Sequence, residues 1–183
     1  MLSEIAFYGA LETGLIYGLV AFGIYISFRV LDFPDLTVDG SFPLGAAVAA
    51  MLIIHGWNPW IATGAAVLAG MAAGAVTALL NVKLKILNLL ASILTMIALY
   101  SVNLRVMGRP NVALLTEETV LTPWYDLGLA FHQVPVLLFA LVVLVALVLL
   151  WRFMKSEVGL AMRATGANPR MARAQGIATG AMI

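Results

Sequence analysis

Residues 31–45 read Leu-Asp-Phe-Pro-Asp-Leu-Thr-Val-Asp-Gly-Ser-Phe-Pro-Leu-Gly, so Asp32, Asp35 and Asp39 fall close to the hydroxyls of Thr37 and Ser41 at the start of a short hydrophobic run. Carboxylates next to membrane-type sequence are expensive and by default functional, as parts of polar paths or relays. Two prolines and two glycines in the same stretch interrupt any regular helix. Non-helical backbone is tolerated at membrane depth only inside protein or beside water. One reading is therefore a broken or re-entrant element lining a polar path, with Asp35, Thr37, Asp39 and Ser41 as the lining groups. The other is an ordinary polar loop, with Asp39 or Ser41 capping a helix N-terminus.

A second polar set is Asn88, Ser92 and Thr95, spaced by four and three residues, which puts all three on one face of a helix. Ser101 and Asn103 extend the polarity further along. Such a stripe either lines a polar pathway or bonds helices together, a routine device in membrane bundles. Glu12, inside the first apolar segment, is either a functional acid or an interfacial residue. His55 and His132 lie far apart in predicted turns, and no HExxH spacing occurs, so both read as interfacial polar residues rather than metal ligands or catalysts.

The third set is the polar run 155–177. It is too polar to span a membrane and too patterned for a tether. A short helix is expected over 160–164, broken by Gly166. Asn168 is a good N-cap with Pro169 at the first helical position, so a second short helix should start there. A small-residue helix pair of this kind suits docking into a groove of another protein. The alternative is a basic loop that fixes topology or binds anionic lipid.

The elements that must position these groups follow from composition. The 183 residues are 63% hydrophobic and only 10% charged, with net charge +1 and no cysteine. Mean hydropathy is +1.03. A soluble domain carries roughly a quarter charged residues, so this chain cannot cover its core with a wettable surface, and lipid must be its main solvent. Without cysteine there are no disulfides and no thiolate chemistry. Residues 1–4 lack the basic flank and cleavage site of a secretory signal, so the first apolar segment is expected to be retained.

Five apolar stretches fit or nearly fit a span of about 20 residues: 5–28, 42–54, 60–82, 86–107 and 134–153. The second is short and reaches spanning length only if residues 35–41 are drawn in. A sixth would begin near Gly176. Lysine and arginine accumulate in cytoplasmic loops. Placing Arg152, Lys155, Arg163, Arg170 and Arg173 inside, and alternating back, leaves eight of the ten basic residues inside and the N-terminus outside. The expected fold is an all-α, polytopic transmembrane helix bundle of one domain, with about five spans, a cytoplasmic segment over 155–176 and the start of a sixth span. Ala62, Ala66, Gly70, Gly74 and Ala78 form a small-residue ridge on the third span, and Gly14 and Gly18 repeat the device on the first. The fifth span, rich in Leu and Val, should face lipid or lie at the periphery.

The pattern Gly159-x-x-x-Arg163-Ala164-x-Gly166-x-Asn168-x-x-x-Ala172-x-x-x-Gly176-Ile177 resembles the cytoplasmic coupling segment of ABC importer permeases of the branched-chain amino acid and ribose type. Residues 35–41 followed by 44–46 look like the opening of that family's second helix. Residues 92–95 through 108–111 look like its fourth helix and outer loop. The three stretches occur in the family's order and cover most of the chain. Within the family the sequence looks closest to permeases for amino-acid-like ligands, including tryptophan and tyrosine systems.

The resemblance implies an importer permease that pairs with a second permease copy or paralogue. It would receive solute from an extracytoplasmic binding protein in the bacterial inner membrane and be driven by cytoplasmic ATPase subunits. Residues 159–176, with Gly159, Arg163, Ala164, Gly166, Asn168, Pro169, Ala172 and Gly176, would insert into the ATPase groove. The chain has no GxxxxGK[ST] phosphate loop, so ATP and Mg are expected in the partner ATPase, with no cofactor, metal or nucleic acid bound here. Gly166→Pro and Arg163→Glu are then expected to uncouple transport while leaving folding intact. Family members continue for several more spans, so the chain is expected to be C-terminally truncated or completed by a partner. Two other classes remain: a secondary transporter or channel subunit, which would need no patterned helix pair, and a non-transporting membrane scaffold.

Overall fold

In lipid a spanning segment must satisfy its backbone internally, and each apolar stretch does so as a helix. The computed structural model describes residues 4–114, 116–125 and 130–182. In chain order the helices are α1 (Glu4–Ile24), α2 (Val38–Ile54), α3 (Pro59–Val82), α4 (Asn88–Met107), α5 (Thr122–Tyr125), α6 (Gln133–Met154), α7 (Glu157–Ala167), α8 (Pro169–Ala174) and α9 (Thr179–Met182). The all-helical, polytopic reading holds. Among the described residues four helical stretches are long and apolar enough to cross a membrane: Glu4–Val30, Pro59–Val82, Asn88–Met107 and Gln133–Met154. The second expected span, α2, has 17 residues. It draws Asp39 and Ser41 into its first turns but leaves Asp35 outside.

The chain divides into two compact units. The first comprises the described parts of Met1–Asp32 and Leu121–Ile183. Here α1 runs unbroken into a π-helical turn, Tyr25–Val30, whose wider ring is closed by the Leu31 amide donating to the Ile26 carbonyl at 3.0 Å. α1 packs along α6, while α7 rests on both the π turn and α6, and α8 and α9 pack on α7. Only Val134, Pro135 and Met154 of α6 are buried, and its Leu and Val side chains stand largely exposed. That is the apolar surface expected of a helix facing lipid.

The second unit, Phe33–Val120, is built on α2, α3 and α4, which pack on one another around Leu44, Ala73 and Leu99. The α2–α3 turn is fixed by Asn58, whose side chain accepts from the Trp60 amide at 2.9 Å, with Pro59 at the first helical position. α4 stops at Gly108, which takes the left-handed conformation that closes a helix.

The small-residue ridge on α3 needs correcting. Ala62 is fully buried, and the Ala66 carbonyl is the nearest neighbour, at 3.5 Å, of a Cβ built on Gly45. Space beside Gly70 and Gly74, however, is open, and the buried line continues through Ala73 and Thr77. A helix turns once every 3.6 residues, so a strict spacing of four drifts about 40° per step and leaves the contact. Gly14 and Gly18 of α1 likewise meet nothing among the described residues.

Candidate functional site

The polar groups of the second unit form a seam among α2, α3 and α4. Residues 32–36 are non-helical, and the Asp35 carboxylate accepts from the Thr37 amide at 2.8 Å, a local turn that delivers the chain into α2. Thr37 is the N-cap residue but makes no capping bond with its side chain. Its hydroxyl instead meets that of Thr77 on α3 at 2.7 Å, with both residues almost wholly buried. The expectation that Asp39 or Ser41 caps the helix is therefore overturned: both lie inside α2, Asp39 exposed and Ser41 partly so. Thr77 precedes the end of α3 at Val82 by five residues, or about 7.5 Å at 1.5 Å per residue. The irregular approach to α2 thus runs alongside the last turns of α3.

Three residues beyond Thr37, Gly40 lies against α4. A Cβ there would stand 3.0 Å from Leu99 Cβ and 3.2 Å from Met96 Cα, so any side chain would press α4 away by a few tenths of an ångström. Asn103 seals it, donating from Nδ2 to the Gly40 carbonyl at 3.3 Å, while its buried Oδ1 has no partner among the described residues. Burying an amide oxygen without a partner costs roughly 1–3 kcal/mol.

Along the α4 stripe, the helix-to-helix bonding of one expected reading is seen at Asn88 and not at Ser92 or Thr95. Ser92 and Thr95 are buried, and their hydroxyls turn back to their own helix, donating to the Leu89 and Ala91 carbonyls at 2.9 and 3.0 Å. Asn88 alone of the three bonds another helix, accepting from the Asn81 amide of α3. Asn81 also donates to the Ile86 carbonyl at 2.8 Å, which ties off the α3–α4 turn. The structure therefore brings Thr37 to Thr77 and Gly40 to Asn103, while Asn88 sits with Asn81 at the start of α4. Thr77 and Asn81 escaped the sequence reading because each stands alone among apolar residues. The available signal was that Thr77 lies 11 residues, about three helical turns, beyond Ala66 and so on the same face.

In the first unit the polar run folds as a helix pair. Ser156 caps α7, its hydroxyl accepting from the Gly159 amide at 3.3 Å. Gly159 is buried, and a Cβ on it would strike the Phe153 carbonyl and the Met154 backbone. Gly166 does not break the helix, contrary to expectation. α7 continues through it to Ala167, because Gly166 is where α7 touches the end of the π turn, and a Cβ would collide with the Val30 carbonyl oxygen. Proline or alanine there is thus a folding change, not a silent one.

The break falls at Asn168. The extended backbone of this residue ends α7, and its side-chain oxygen accepts from the Arg170 and Met171 amides at 3.1 and 3.2 Å to start α8, with Pro169 first in the helix. Ala172 is buried, Gly176 turns the chain at φ +84°, and Arg163, Ala164, Asn168, Pro169, Arg170 and Met171 are exposed.

At the other end of this unit, Tyr8 and His132 rings lie 4.8 Å apart. Burial pushes the Tyr125 phenol above its ordinary value, and the Glu12 carboxylate adds to the rise. Glu12 is thus within electrostatic reach of the α5 segment.

Helices of spanning length, apolar outer faces, a buried polar seam and a basic helix pair together define a multi-pass membrane protein. The chain belongs to the family described as branched-chain amino acid transport system / permease component, which it matches over residues 7–183. It is 37% identical over 168 residues to a tyrosine transport system permease protein of Clostridioides difficile (strain R20291), covering 92% of this chain and 54% of that protein. It is 39% identical over 160 residues to an uncharacterised protein of Rickettsia prowazekii (strain Madrid E), covering 87% of this chain and 54% of that one. The chain thus spans about half the length of these relatives. No solved structure matches it.

Proposed function

We propose that this chain is part of the transmembrane permease of an ATP-driven ABC importer, passing a small amino-acid-like solute from an extracytoplasmic binding protein to the cytoplasm. One observation carries the reading: the α7–α8 pair is seated on the ends of two spanning helices. Gly166 lies on the π turn of α1, Gly159 lies on the end of α6, and the Asn168–Met171 corner faces away. A segment held this closely moves with its spans, as a coupling element must.

Such an element has to bind one state of its ATPase better than the other to shift the permease. ATP and Mg belong to that separate subunit. The basic ends face the cytoplasm of a bacterial inner membrane, with the N-terminus outside. A second permease copy, or a paralogue, completes the assembly.

The test is co-expression with the neighbouring ATPase, extraction in mild detergent and co-purification. Met171 is 60% exposed on α8, and Met171→Glu places a charge on the docking corner without touching the supports at Gly159 and Gly166. Association that is lost in this variant supports the reading. Unchanged association in the variant overturns the docking corner. Uptake that depends on an ion gradient and not on an ATPase would favour a secondary transporter.

A further inference from the structure

The first unit holds a cleft of about 450 Å³ where the π turn meets α7, lined by Tyr25, Phe28, Arg29, Val30, Asp32, Arg163, Gly166 and Ala167. Two arginines reach it from different elements, Arg29 from the last turn of the Glu4–Val30 span and Arg163 from the middle of α7. Neither guanidinium is paired with a carboxylate within the described residues, Asp32 included. Both side chains are exposed, and the planar guanidinium fork suits phosphate oxygens. The cleft also has an apolar side: Tyr25 and Phe28, 51% and 43% exposed, flank it on the span. Aromatic residues at a span's end mark headgroup depth.

We propose that this cleft is a binding site for the phosphate of an anionic phospholipid headgroup, with the acyl chains running along the exposed face of α1. Charge, depth and amphipathic lining agree on that ligand. Basic pockets at the cytoplasmic ends of spanning helices are suited to acidic headgroups. With Asp32 opposing Arg29 and Arg163, the lining carries a net charge of +1, matched by the single negative charge of a phosphodiester. A lipid seated there would bridge the span to α7 and stiffen the joint that Gly166 makes.

The test uses this chain purified in a neutral detergent, with bound lipid counted by native mass spectrometry during titration with phosphatidylglycerol or phosphatidylcholine. Phosphatidylglycerol should be retained at roughly tenfold lower concentration than phosphatidylcholine, and Arg29→Gln and Arg163→Gln should each abolish most of that preference. Both arginines are exposed, so the variants should melt like the parent, and Arg105→Gln serves as a basic-residue control.

Equal retention of the two lipids, or a double variant that keeps the preference, overturns the proposal. Displacement of phosphatidylglycerol by millimolar inorganic phosphate would make the site a free-phosphate site and likewise overturn it. If Arg29→Gln instead removes ATPase association and leaves lipid retention unchanged, the cleft receives a protein carboxylate and the lipid assignment fails. The Met171→Glu test bears on docking alone, so the two readings can fail separately.

Discussion

Gly166 and Val30 meet backbone to backbone: the α7 glycine leaves no room for a single carbon before the Val30 carbonyl oxygen at the end of the π turn. This close approach is how a polar helix outside the spans becomes an extension of one. Alanine in place of glycine ordinarily favours a helix by roughly 1 kcal/mol, while forcing a methyl into packed backbone costs about 1–3 kcal/mol. A carbonyl cannot swing aside as a flexible side chain can, so the second effect wins. Gly166→Ala should lower the melting temperature in detergent by several degrees. Gly14→Ala, where the space is open, should leave it unchanged or raise it.

The Thr37–Thr77 pair can be resolved by a double-mutant cycle. Either Thr→Val change alone strands a buried hydroxyl and should cost roughly 1–3 kcal/mol, whereas the double change removes both partners and should cost less than the sum. Denaturant titration of the four proteins measures the coupling. Additive losses would mean that the hydroxyls do not bond.

At the α2–α4 crossing, Gly40→Ala should destabilise by about 1–3 kcal/mol, since the built Cβ crowds Leu99 and Met96. Leu99→Ala should fail to rescue it. The truncation removes Leu99 Cδ1, at 3.1 Å, but leaves Leu99 Cβ at 3.0 Å and Met96 Cα at 3.2 Å against the new methyl. Rescue would show that the crowding lies at the leucine tip instead.

The Asn168 cap can be separated from Asn168 as a contact. Asn168→Ala removes both capping bonds and should cost about 1 kcal/mol of local helix stability. Asn168→Asp keeps an acceptor and should hold α8 in place. Amide hydrogen exchange at Arg170 and Met171 should rise in the alanine variant and stay near parent levels in the aspartate one. Equal protection in all three would rule out the cap.

Tyr125 offers a pH readout. Its neutral form is favoured by burial and by Glu12, so its phenol should ionise above the ordinary phenol range. The stability this contributes is present below the unfolded phenol value and lost as pH rises past it. Glu12→Gln removes the negative charge and should lower the midpoint, leaving the part due to burial. Ultraviolet difference titration against Tyr125→Phe measures both.

What the sequence determined by itself is what depends on counting along the chain. Apolar length set the spans, because lipid leaves a segment of about 20 such residues no alternative to a helix. Local bonding placed the start of α8, because Asn168 and Pro169 act on amides two or three residues away. Spacing put Ser92 and Thr95 on one buried face. Tertiary structure decided what depends on which surface comes near. Gly166 reads in sequence as a helix breaker, and only the presence of Val30 beside it makes it a contact within an unbroken helix. The α3 ridge looked continuous because small residues carry no direction, and the 3.6-residue turn then carried Gly70 and Gly74 away from α2. Thr77, Asn81 and Asn103 drew their roles from Thr37, Asn88 and Gly40, partners brought together only by the packing of three helices.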